Sequence, residues 1–157
     1  MNVIKVLTWA LAIGGVLLYG YVTEVRRDDS GSVVQAGDSN VFDLRVGDCI
    51  GQNINDAESI AETSVVPCEE PHEYELFAEV TLIGDVFPGD EIIGEQGAAQ
   101  CVADFDKYFS IAFQESELEV NFLFPTKESW EGNNDRKVSC LAYRMDGSQM
   151  IGRPRGI

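Results

Sequence analysis

The stretch ELFAEVTLIGDVFPGDEIIGEQGAAQCVADFDKYF, Glu75–Phe109, changes its hydrophobic period once, and that change decides the fold class. In its first part Leu76, Ala78, Val80 and Leu82 alternate with Phe77, Glu79 and Thr81, the two-residue period of a half-buried strand. Phe87-Pro88-Gly89 then marks a turn, with Asp90 placed as a helix N-cap. Beyond it Ile92, Ile93, Ala98, Ala99, Cys101, Val102, Phe105, Tyr108 and Phe109 recur at spacings of three and four, which is a helical stripe. Gly94 and Gly97 weaken the first turn, so the helix is expected to start nearer Glu95 and to run for about four turns.

On either side the chain reads mostly as strand. Val41–Ile50 suggests a short strand running into a turn at Gly47–Asp48, and Glu62–Cys68 is a β-branched run ended by Pro67. Leu118, Val120, Phe122 and Phe124 alternate before Pro125. Thr126 is placed to cap a single helical turn, and Lys137–Arg144 reads as a last strand. Residues 41–157 therefore read as one α+β domain, an antiparallel sheet packed on one main helix. Residues 24–40 are polar, with Gly, Ser and Asp and no period, and read as a flexible tether spanning about 23 Å.

Residues 1–23 read as an anchor. Val6–Thr23 holds no charged side chain, and a helix of that length rises about 27 Å, close to the thickness of a bilayer's hydrocarbon core. Lys5 can snorkel to the headgroups, and Trp9, Tyr19 and Tyr21 suit an interfacial belt. A cleaved signal would have a shorter apolar core followed by a small-x-small site, which Tyr19–Val25 does not offer. The flanking cations do not fix an orientation: Lys5 precedes the run, while Arg26 and Arg27 follow it.

Charge narrows the partners. The chain carries −16 formally, from 27 acidic and 11 basic residues, so neither nucleic-acid phosphates nor anionic headgroups attract it as a whole. The acidic doublets lack calcium-loop spacing. Nothing calls for a cofactor.

Cys49, Cys68, Cys101 and Cys140 are widely spaced. A zinc site usually draws on closely spaced pairs, and none is present. Two disulfides are the favoured reading, and they require the oxidising side of a membrane. Of the three pairings, Cys49–Cys68 and Cys101–Cys140 are preferred. The first joins the turn to the end of the next strand, and the second fastens the helix to the last strand. Loop closure gives about 3 and about 4 kcal/mol respectively.

The densest set of chemical groups is CEEPHEYELF, Cys68–Phe77, with His72 among four glutamates. One imidazole is too few for zinc, and no nucleophile is marked out as a partner, so a turn before the strand is preferred for Pro71-His72. The imidazole would then bond to backbone or to Glu75. No catalytic residue and no metal ligand is assigned.

Several short motifs then occur in order: VGDC (Val46–Cys49), V-x-C-x-x-P-H-x-x-E (Val66–Glu75), FPG (Phe87–Gly89), Cys101 with Phe105 and Tyr108, P-T-x-x-S-W (Pro125–Trp130), Gly132, Asp135-Arg136 and Cys140-Leu141. Over roughly residues 44–152 this resembles the actinobacterial septum formation domain family. The family's compact W-x-x-G-D-R is here W-E-G-N-N-D-R, and its Gly-Ser-Leu tail is absent.

The resemblance implies an exported, disulfide-bearing envelope protein with a membrane or lipid anchor. It brings forward His72, Glu75, Trp130, Asp135 and Arg136 as motif residues. Trp130 is expected to seal the core edge, with Arg136 pairing to a nearby carboxylate. The favoured function is a non-enzymatic accessory or scaffold. It would be held to the cell membrane by a single pass, lie outside the cytoplasm and bind an unknown protein or cell-wall component. The alternative is an envelope hydrolase or metal-dependent enzyme using His72 and Glu75.

Overall fold

Strand β6 (Tyr74–Thr81) and strand β8 (Lys137–Arg144) pair antiparallel at the centre of the molecule, and the rest of the fold is laid on the two faces they create. The computed structural model describes residues 24–51 and 61–155. Flanking the central pair are β3 (Gly37–Asn40), β4 (Cys49–Ile50), β5 (Glu62–Val66) and β7 (Leu118–Leu123). The sheet runs β3-β5-β4-β6-β8-β7, with every pairing antiparallel. Three strands lie between β3 and β8 in that order. Even so, Lys137 Nζ at the start of β8 donates to the carbonyl of Phe42, two residues beyond β3, at 3.2 Å. The sheet must therefore coil strongly.

Helix α1 (Asp90–Phe109) covers one face. Its residues Ile93, Gly97, Cys101, Phe105 and Phe109, each four apart, are buried. They form one core cluster with Phe77, Leu118, Trp130, Val138 and Ala142. A second cluster of Leu44, Ile50, Val65, Tyr74, Leu76 and Leu141 fills the opposite face. With both faces covered, β8 buries five consecutive residues, Val138–Ala142, rather than alternating.

The expected alternation along β6 contains a switch. Leu76 pairs with Leu141, while Ala78 pairs with Cys140, so Phe77 is an extra residue in a bulge. Leu76 consequently serves the second cluster, whereas Phe77, Ala78 and Val80 serve the helix side.

The expected helix and strands are present, with local corrections. α1 begins at Asp90, with Gly89 at the N-cap position and no side-chain cap. The glycines do not delay it, because Gly97 is where helix and sheet meet: a Cβ there would lie 3.1 Å from Val138 Cγ1. Val41–Asp43 is a 3-10 turn rather than a strand. A short helix, α2 (Lys127–Gly132), is capped by Thr126, whose side chain accepts from the Ser129 N–H, as its sequence implies. Both preferred disulfides, Cys49–Cys68 and Cys101–Cys140, are formed.

The tether reading of residues 24–40 does not match what those residues form. They contain β1 (Arg26–Arg27), β2 (Val33–Gln35) and β3, and Glu24 bridges Asp38. Gly37 allows the two backbones to touch, since a Cβ there would fall 2.4 Å from Val25 N. What holds the segment is largely polar. The Arg27 guanidinium grips Asp48 through both carboxylate oxygens, one of them at 2.7 Å, and Asp48 also accepts from the Arg45 N–H. Only Val25 and Val33 join the apolar core, so no hydrophobic period announces the strands. The anchor expected at Val6–Thr23 lies outside the described residues. Among those described, no helix is long and apolar enough to cross a membrane.

Asp48 is 3% exposed, and Arg27→Ala would leave its charge buried and uncompensated. That substitution is expected to cost about 3–5 kcal/mol in a urea unfolding curve. A change within about 0.5 kcal/mol would mean that residues 24–40 hang free of the fold.

Candidate functional site

His72 and Glu75 lie just before and within β6, and both are fully buried. The His72 backbone exchanges two hydrogen bonds with Met150, N–H to carbonyl in each direction, at 3.0 and 2.8 Å. Its ring Nδ1 lies 2.8 Å from the Glu70 carbonyl, a contact that requires Nδ1 to carry the proton and donate it. The ring closes the turn after Cys68, one of the two local roles its sequence suggests. His72 Nε2 is buried with no hydrogen-bond partner among the described residues.

Glu75 belongs to a different set. Its Oε1 accepts from the Tyr108 hydroxyl at 2.6 Å and from Arg153 Nη1 at 3.0 Å, with Arg155 Nη2 at 3.7 Å. Arg155 also lies over the Tyr108 ring, 4.4 Å from its centroid. The tail that brings both arginines is tied back where Gly152 N–H donates to the Cys68 carbonyl at 2.7 Å. Gly47, at φ +96°, leaves room for the Arg153 guanidinium, which would sit 3.1 Å from a Cβ there. A buried carboxylate is tolerable only when compensated, and here two cations and a phenol do so. Glu75 Oε2 has no hydrogen-bond partner among the described residues.

The sequence places His72 and Glu75 together but does not reveal Tyr108, Arg153 and Arg155 as the partners of Glu75. Tyr108 reads as part of the helical stripe, and the arginines read as a short basic end. The available signal is an acidic residue on a strand otherwise headed for the core, which demands a cation from somewhere.

Trp130, Asp135 and Arg136 gather at the opposite end of β6, beyond Thr81. Trp130, on α2, is 1% exposed. It meets Phe87 edge-on with centroids 5.9 Å apart, and its Nε1 donates to the Asp85 carbonyl at 3.3 Å. Arg136 stacks on the Trp130 ring at 3.8 Å from its centroid. Its donors go to backbone carbonyls, those of Gly84 at 3.0 Å and of Trp130 and Asp135 at 2.8 Å each. The expected pairing with a carboxylate is replaced by this backbone clamp. Asp135 accepts from Ser129 Oγ and from the Lys137 N–H, which fixes the turn between α2 and β8. Beside this group lies an open groove of about 440 Å3, lined by Phe42, Thr81 and residues 133–137.

The two constellations therefore do different things. One closes a tail over a buried carboxylate, and the other pins the loop that follows β6. Among the described residues no three His, Cys, Asp or Glu side chains converge as metal ligands. A family model described as septum formation matches residues 22–140. That range takes in all four cysteines, His72, Glu75, Trp130, Asp135 and Arg136, but not Arg153 or Arg155. No curated protein and no solved structure matches the chain.

The Tyr108 hydroxyl holds its proton above the usual tyrosine range, first because burial disfavours the phenolate and then because it donates to Glu75. A pKa raised on folding gives stability that is whole below the unfolded value, about pH 10, and is lost as pH climbs through the folded one. Tyr108→Phe should remove that share of the alkaline loss, flattening the decline. It should also cost about 1.5–3 kcal/mol at neutral pH, because a hydrogen bond to a charged group is lost. Unfolding curves at a series of pH values from neutral to strongly alkaline read both effects. Equal slopes in the two proteins would contradict the assignment.

Proposed function

The chain belongs to the septum formation family, and we propose that it is a membrane-anchored, extracytoplasmic accessory or scaffold module of the cell envelope. Membership itself suggests a role related to septum formation. The finer reading rests above all on one observation: all four cysteines are spent in two disulfides that tie the core together. Such cross-links form and persist where the surroundings are oxidising, which favours a domain outside the cytoplasm. The apolar run Val6–Thr23 supplies the anchor in this reading. Because ordered strand pairing already involves Glu24 and Arg26, the module would sit close to the bilayer rather than float on a long leash.

A binding role agrees with the condition of the groups best suited to chemistry. His72 and Glu75 are both sealed from solvent and engaged in holding a turn and a tail. A second reading, a hydrolase or metal-dependent enzyme built on this pair, draws on the unused hydrogen-bonding capacity of His72 Nε2 and Glu75 Oε2. A His72→Ala protein that keeps its melting temperature but loses a hydrolytic or metal-dependent activity would favour that second reading. Simple unfolding would favour the structural role.

Location is tested by reporters fused after Ile157. Alkaline phosphatase, which matures only outside the cytoplasm, should be active, and green fluorescent protein exported unfolded should be dark. The reverse pattern would overturn the external placement.

A further inference from the structure

The loop from β6 to α1 displays two aliphatic side chains that the fold does not use. Leu82 is buried and Phe87 packs on Trp130, yet between them Ile83 is 98% and Val86 82% exposed. The loop is not slack. Leu82 N–H donates to the Arg136 carbonyl at 2.7 Å, the Gly84 carbonyl accepts from Arg136 Nε, and the Asp85 carbonyl accepts from Trp130 Nε1. Anchors thus fall on both sides of Ile83, at Leu82, Gly84 and Asp85. The buried Trp130 and the stacked Arg136 are committed to holding a backbone whose outward product is this apolar tip.

The surroundings of the tip are acidic. Asp85, Asp90 and Glu91 are exposed, and none is in an ion pair among the described residues. Asp90 and Glu91 suit the N-terminus of α1, but Asp85 lies outside that turn. Ile92, 45% exposed, extends the apolar surface onto the helix.

We propose that Ile83 and Val86 form a preformed docking knob for a basic protein partner, one that offers an aliphatic socket rimmed by lysine or arginine. An apolar centre with a charged rim is the usual anatomy of such a contact, and a rigid knob loses little freedom on binding. The local acids and the chain's net charge of −16 draw a cationic surface while repelling anionic lipid and a second copy of this chain. The proposal rests on the accessory-module reading, because it gives such a module the surface through which it acts.

Photo-crosslinking on the full chain in its native membranes tests it. A photoreactive residue replaces Ile83, and a control replaces Met145, which is 64% exposed and outside the knob. Position 83 should yield one discrete protein adduct that position 145 does not. The linked peptide should carry Lys or Arg beside aliphatic residues. Yield should fall by about tenfold or more in Val86→Asp and in Asp85→Lys, with melting temperatures unchanged because both side chains are exposed. Equal adducts at both positions, an adduct with a second copy, a lipid adduct alone, or none at position 83 would overturn the proposal. Fusion reporters that place the domain outside, with position 83 silent, sink the knob alone. Reporters that place it inside, with the discrete adduct intact, sink the location and leave the knob standing.

Discussion

Everything in this domain is arranged around the cross-link between Cys101 on α1 and Cys140 on β8, both fully buried. It joins helix to central strand across 39 residues of chain, a closure that removes about 4 kcal/mol of freedom from the unfolded state. One helical turn earlier Gly97 rests on Val138, and one turn later Phe105 meets Phe77 edge-on. The helix can approach the sheet this closely only because the residue at 97 has no side chain. The second bridge, Cys49–Cys68, ties β4 to the turn that carries His72, and contributes about 3 kcal/mol on the same argument. For a domain whose net stability is about 5–15 kcal/mol, these two covalent links are a large share.

The sheet's coiling places polar devices where apolar packing runs out. At one end a buried carboxylate, Glu75, collects Tyr108 from the helix and two arginines from the tail. At the N-terminal margin Asp48 collects Arg27. At the far end Trp130 and Arg136 hold backbone carbonyls of the loop after β6. Each device fixes a segment with little hydrophobic content of its own. Together they explain how a strongly acidic chain closes its margins.

Much of this is legible in the sequence because the signals are local. The period change between β6 and α1, the Thr126 cap and the strand before Pro67 all depend on residues close together in the chain. The pairing of the cysteines follows from which elements they sit on. What escapes is non-local or polar. The bulge at Phe77 is hidden because the alternation continues in the sequence while the face it serves changes. Strands β1–β3 are held by backbone pairing and one ion pair, and neither leaves a hydrophobic pattern. Nothing near Glu75 points 78 residues onward to Arg153. His72 and Trp130 are visible as chemistry-bearing side chains, but their duties are decided by partners the sequence does not name.

An oxidised core is the link between this architecture and an envelope role in septum formation. Alkylation of the natively purified protein, unfolded without reductant and weighed by mass spectrometry, tests it most directly. Two intact bridges give no alkyl adduct and a mass four hydrogens below that of the reduced chain. Four adducts on the native protein would contradict the disulfide-tied core and the external placement built on it.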